Sequence, residues 1–181
     1  YSTDSEVAAH LAWIAYLNYD IAGKTVADLG CGNGILGIAS LLLGSKKTYF
    51  IDTSEEAISL AKENLKDIEK IFNKKFSSEF LHKDIGSVKL KVDTVIQNPP
   101  FGVKLKHADK VFLEKAMMIS DVIYTMHKAN TIDFISKLAS SNDFIVDNIT
   151  ELNLPLKQTM PFHVKKQHKV KIALVKLKRN I

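Results

Sequence analysis

The chain has 181 residues, 46% of them hydrophobic and 25% charged, with a formal net charge of +5. These ordinary globular values suit a single domain over residues 1–181 and exclude a disordered tail, a collagen and a coiled-coil rod. No apolar run approaches the roughly 18 residues of a membrane span, and the single cysteine, Cys31, excludes an internal disulfide or a Cys-rich zinc site and suits a reducing, cytoplasmic setting.

The chain begins at Tyr1 rather than Met, so residues upstream are expected, and no signal peptide is read in it. Thr3 and Glu6 have capping-box spacing, and Val7, Leu11, Ile14 and Leu17 then form one apolar helical stripe, an N-terminal helix within residues 1–20. Lys24 to Leu29 reads as a buried strand, Gly30 to Gly34 as a turn and Ile35 to Leu43 as a buried helix. Thr48 to Ile51 is a second strand, and Ser54 caps a long helix with Glu55 and Glu56 in its first turn. Strands are expected at Phe76 to Leu81 and Val92 to Ile96, the latter stopped by Asn98-Pro99-Pro100. A lysine-rich loop, a helix over Val111 to Ile119, a strand at Val122 to Tyr124 and a helix over Thr131 to Ala139 follow. Phe144 to Ile149 and Val170 to Leu177 close the chain, the last with Val170, Ile172 and Leu174 alternating against Lys169 and Lys171. Strands separated by helices give an α/β fold with a mostly parallel sheet, and the last two strands an antiparallel pair at one edge. From Leu152 onward there is no Asp or Glu but eight basic residues. That reads either as a surface for an anionic partner such as nucleic acid or as a solvated lysine-rich face.

The strand–turn–helix around Gly32-x-Gly34-x-x-Gly37 matches the dinucleotide fingerprint, and Asp52 follows Gly34 by 18 residues. Two details favour another ligand. Asp28, just before the glycines, repels a pyrophosphate and attracts a cation. Asp84 ends the third strand. Three carboxylates at successive strand ends suit an ammonium, a ribose diol and an adenine amine, all present in S-adenosylmethionine; singly, each Asp reads as a turn or helix cap. Asn98-Pro99-Pro100-Phe101 follows the fourth strand. If strands one and four are neighbours, Asn98 faces the glycine loop at a switch point. Its carbonyl and that of Pro99 are acceptors for an exocyclic amine, and Phe101 offers a face on which a base stacks.

Asp28-Leu-Gly-Cys-Gly-Asn-Gly34, Asp52, Asp84 and Asn98-Pro-Pro-Phe101 resemble the motifs of Rossmann-like, S-adenosylmethionine-dependent amino methyltransferases, most of all the small-subunit ribosomal RNA adenine-N6 methyltransferases and their archaeal relatives. Tyr1-Ser-Thr3 resembles the end of that family's N-terminal motif, and Phe101-Gly-Val-Lys104, Tyr124-Thr-Met-His127-Lys128 and Phe162-His-Val-Lys-Lys166 are similar to further stretches. The resemblance implies a seven-stranded sheet with a C-terminal antiparallel hairpin and helices on both faces. It implies a cofactor site walled by Tyr1 and Thr3, with the loop Gly30, Cys31, Gly32, Asn33 and Gly34 and Asp28 on the methionine end. Asp52 and Thr53 then lie on the ribose, Asp84 and Ile85 on the adenine, and Asn98 next to the methyl group. Asn98, Pro99, Pro100 and Phe101 hold the target adenine, and a small zinc-binding activator protein is implied as a partner.

RNA contacts are expected from Lys104, Lys106, Phe162, His163, Lys165 and Lys166, and from His127 and Lys128, which read either as substrate-facing or as a strand-end turn. Lys104 and Lys106 read equally as part of a solvated loop. No metal site is expected: His163 and His168 have no third ligand near in sequence. Cys31 lacks a His partner and reads as packing. The rival readings are protein glutamine or DNA adenine methylation, a noncatalytic cofactor-binding subunit, and an NAD oxidoreductase.

Overall fold

The computed structural model describes residues 5–100, 108–155 and 169–180. Its sheet is built from β1 (Thr25–Leu29), β2 (Lys47–Asp52), β3 (Ser78–His82), β4 (Thr94–Gln97), β5 (Val122–Lys128), β6 (Phe144–Pro155) and β7 (Lys169–Arg179). The strand order is β3-β2-β1-β4-β5-β7-β6. The four pairings from β3 to β5 are parallel; β5·β7 and β7·β6 are antiparallel, and β6 and β7 form the C-terminal hairpin. The expected seven-stranded, mostly parallel α/β sheet is therefore present, with β1 and β4 adjacent.

Helices α1 (Ser5–Leu17), α2 (Ile35–Leu42) and α3 (Glu55–Ile71) cover one face. Helices α4 (Ala108–Ile119) and α5 (Ile132–Ser140) cover the other. The central strand β1 is buried from Val26 to Leu29 because both faces are covered. In α3, Ile58, Ala61 and Leu65 recur at helical spacing toward the sheet, and Ser54 Oγ accepts from Ala57 N at 3.1 Å as the expected cap. No helix among the described residues is long and apolar enough to cross a membrane.

Three expectations shift. The buried stripe of α1 is Val7, Ala8, Leu11, Ala12 and Ala15, while Leu17 is 58% exposed, because the small alanines let the helix lie close to the sheet and its last turn overhangs it. Thr3, half of its expected capping box, lies outside the described residues. Strand β5 runs on to Lys128 because β7 pairs with it as far as Lys128↔Ile172. Two of the eight C-terminal basic residues are structural rather than solvated. Lys176 Nζ lies 3.2 Å from Asp20 Oδ2 and 3.1 Å from Asp147 Oδ2, and Arg179 bridges Asp121 while lying over the Phe144 ring.

Candidate active site

Strand order reverses between β1 and β4, and at such a switch point the connecting loops part and leave a crevice beyond the strand ends. The register pairs Leu29 with Gln97, so Gly30 and Asn98 leave adjacent strands at the same level. Gly30, Gly32 and Gly34 have φ of 69°, 53° and 81°, the left-handed region in which a side chain is strained. Gly37 has a different reason: a Cβ there would lie 2.3 Å from the Phe50 ring of β2, so α2 packs this close only without a side chain.

Most of the donors of this loop are spent inside the protein. Gly30 N and Cys31 N both donate to Ile51 O, Gly34 N to Cys31 O, and Ile35 N to Asn33 Oδ1. Gly32 N donates to Asp52 Oδ2 and Gly37 N to Asp28 Oδ2, at 2.9 and 2.8 Å. A pyrophosphate needs free donors at the helix N-terminus, and here a carboxylate already occupies that place. The fingerprint match therefore carries no dinucleotide site.

Asp28 is 1% exposed, and its Oδ1 has no hydrogen-bond partner among the described residues. Burial pushes its carboxyl up to about 7; the Gly37 N–H opposes this and the neighbouring Asp52 adds to it. A buried carboxylate oxygen lacking a donor fits a ligand ammonium, which restores the missing counter-charge. Asp52 is half-buried, accepts from Gly32 N and Ser54 N, and keeps further lone pairs on both oxygens for ribose hydroxyls. Thr53 is exposed beside it, its carbonyl accepting from His82 Nε2. Asp84 is exposed and caps a short turn over Ile85–Ser87 through Gly86 N at 2.8 Å, with Ile85 buried beneath it. These carboxylates and the glycine loop thus stand on three successive strand ends, and their donor set fits S-adenosylmethionine.

Asn98 is half-buried, Pro99 buried and Pro100 exposed. Tyr1, Thr3, Phe101, Lys104, Lys106, Phe162, His163, Lys165 and Lys166 lie outside the described residues. Lys128 is exposed at the end of β5. His127 corrects the expectation of an RNA contact: it is 1% exposed, with Nε2 2.8 Å from Thr125 Oγ1, because side chains of a central strand alternate into a covered face. Cys31 packs with Ile38, Leu41 and Phe50, and burial pushes its thiol far above its usual range, which opposes a thiolate nucleophile.

Several supporting residues escaped the sequence reading. Lys115 of α4 donates to Gly86 O and Val88 O and so ties down the Asp84 turn. Phe112 of the same helix lies where a Gly30 Cβ would be, at 2.8 Å. Asn64 Nδ2 donates to Asn33 O across the glycine loop. Each comes from a distant helix, with no local signal in the sequence. Gln97, next to the Asn-Pro-Pro motif and 0% exposed, was findable as a polar residue ending a buried strand.

Comparison with known proteins places this geometry. The methyltransferase small domain family matches residues 8–121. The chain is 35% identical to an uncharacterised protein of Methanocaldococcus jannaschii over 99% of its own length and 84% of the relative's. It is 31% identical to the rRNA N(6)-adenosine-methyltransferase METTL5 of Danio rerio, over 97% of this chain and 86% of that one. The crystal structure of Pyrococcus horikoshii PH1948 superposes with a TM-score of 0.86 at 34% identity, covering 100% of this chain and 87% of that one.

Proposed function

The chain belongs to the methyltransferase small domain family, and from that premise we propose that it methylates N6 of an adenosine in RNA, with small-subunit ribosomal RNA as the substrate class. The relatives named as rRNA adenosine methyltransferases support the substrate. The observation that carries the chemistry is the juxtaposition of the Asn98-Pro99 turn with the glycine loop and the buried, donor-poor Asp28.

S-adenosylmethionine, when bound, supplies an electrophilic methyl group on a sulfonium. Asp28 and the loop Gly30, Cys31, Gly32, Asn33 and Gly34 hold its methionine end. Asp52 and Thr53 take the ribose, Asp84 and Ile85 the adenine, and Tyr1 and Thr3 wall the site. The target amine is a poor nucleophile because its lone pair is delocalised into the ring. Asn98 Oδ1 and the Pro99 carbonyl accept the two N6 hydrogens and favour a pyramidal nitrogen, while Phe101 stacks on the base and Pro100 stiffens the turn. Alignment of the two reactants supplies most of the remaining acceleration, and no general base is required. Lys104, Lys106, Lys128, Phe162, His163, Lys165 and Lys166 hold the RNA, and a base drawn from a helix is first unstacked. The whole chain acts as one methyltransferase domain in the cytoplasm. A small zinc-binding activator protein pairs with it; among the described residues β3 and β6 are the sheet edges at which a strand can be added.

The test is methyl transfer from labelled S-adenosylmethionine to total RNA, DNA and protein, followed by mass spectrometry of digested RNA. N6-methyladenosine is expected, with kcat lowered about 10²- to 10³-fold in Asn98→Ala. Label in protein glutamine or DNA adenine instead overturns the substrate. Binding of the cofactor without transfer, even with an activator added, overturns the enzyme reading in favour of a noncatalytic subunit.

A further inference from the structure

A buried polar chain behind the Asn98 turn has no part in the chemistry just described. Gln97 Nε2 donates to Thr125 Oγ1 at 3.2 Å, and Thr125 Oγ1 lies 2.8 Å from His127 Nε2. Gln97 and Thr125 are 0% exposed and His127 1%. Gln97 Oε1 has no hydrogen-bond partner among the described residues. Strand alternation puts all three on the face that carries Val95 and Ile123, among the apolar side chains of α4 and α5. An apolar filling of the same shape costs less there than a polar chain with an unmatched acceptor.

We propose that Thr125 and His127 are positioning residues that act through Gln97 to hold the Asn98-Pro99 turn in register for methyl transfer, an inference that rests on the role of Asn98 given above. Pro99 and Pro100 have no N–H and donate no ladder bonds. Gln97 is the last residue of β4, paired with Leu29 on one side and Thr125 on the other. Its side chain adds a cross-strand staple at the final pair of β4, the residue before Asn98 and its two prolines. The other end of the staple is rigid, because Thr125 and His127 are paired with Val175 and Ala173 of β7. Gln97 Nε2 donates to Thr125 Oγ1, and the hydroxyl and the imidazole share the second hydrogen bond between Thr125 Oγ1 and His127 Nε2. Burial holds the ring neutral, its pKa lowered to about 4 against the opposing pull of Asp109 in the first turn of α4, so the contact is not altered by protonation near neutral pH.

The test compares Thr125→Val with Thr125→Ser and His127→Phe. Thr125→Val keeps the shape and removes the hydroxyl. It is expected to lower kcat about tenfold or more while the Kd for S-adenosylhomocysteine stays within about twofold, and Thr125→Ser restores kcat to within about threefold. His127→Phe behaves like Thr125→Val. The Asn98 side-chain amide resonances, assigned by their loss in Asn98→Ala, move in Thr125→Val and return in Thr125→Ser. An unchanged kcat in Thr125→Val, a loss shared equally by Thr125→Ser, or a matching loss of cofactor affinity overturns the proposal. If the wild-type protein methylates no adenosine, the substrate reading fails by itself, and the amide resonances still decide: unmoved in Thr125→Val, they overturn the staple.

Discussion

Asp28 and Lys176 are both buried charges, on opposite halves of one sheet, and they are treated oppositely. Lys176 is 9% exposed and meets Asp20 and Asp147, with Asn18 Oδ1 at 3.3 Å as a further acceptor. Burial pulls its pKa down, but hydrogen bonds and charge from Asp147 and Asp20 outweigh it and hold the ammonium above its ordinary range. Tyr124 also donates to Asp20 Oδ2, so the cluster ties the end of α1 to β5 and β7. Asp28 is buried more deeply, yet receives one backbone N–H and stands near a like charge. The hairpin half is electrostatically closed. The parallel half keeps a carboxylate oxygen with no partner among the described residues, the arrangement a cation-binding site requires.

The largest effect expected from breaking this contrast is at Asp28. Its carboxyl titrates near 7 in the folded chain against an ordinary 3.8, so the folded state binds the proton more tightly. Stability from this group is full below pH 3.8 and is lost as pH rises through 7, by up to about 4 kcal/mol. Asp28→Asn without ligand is therefore expected to match wild type near pH 4 and exceed it at pH 8, by denaturant titration at both. Affinity of wild type for S-adenosylhomocysteine runs the other way, weakening from pH 8 to pH 6 as the carboxylate is protonated. Parallel wild-type and Asp28→Asn stability profiles over that range would remove the contrast.

Next is Lys176→Met, expected to destabilise by about 3 kcal/mol because it strands Asp20 and Asp147. Urea unfolding measures this, and a cost below about 1 kcal/mol would mean the cluster is effectively solvated. Gly37→Ala tests whether the parallel half is also limited by packing. Its Cβ meets the Phe50 ring, so a cost of about 2 kcal/mol is expected, relieved in part by Phe50→Leu. Unchanged thermal stability would show that the ring moves aside freely. Smallest is Ser54→Ala, about 1 kcal/mol from losing the α3 cap, with no change in the pH dependence set by Asp28. A melting curve that shifts by the same amount at pH 5 and pH 8 checks both parts.

Much of the candidate site was legible because its residues sit where local patterns are strong. Asp28 and Asp52 end apolar runs, Asp84 follows a strand by two residues, and glycines and prolines mark turns beside them. Lys176 was legible too and was misread: the period that places Ile172 and Leu174 on one face places Lys176 there as well, and only its neighbours in sequence made it look like a surface lysine. Strand β5 was drawn too short because its last residues are held by β7, some fifty positions away.

By itself the sequence determined the alternation of strands and helices, the glycine turn, and the three acids with the Asn-Pro-Pro turn, because these follow from periodicity and backbone restriction within a few residues. The tertiary structure decided what stood beside what. Adjacency of β1 and β4 brings Asn98 to the glycine loop, α4 supplies Phe112 and Lys115, and Asp20 meets Lys176. Only the packed sheet also decided which charge is answered and which is left without a partner among the described residues, since desolvation acts on a group only when distant elements close over it.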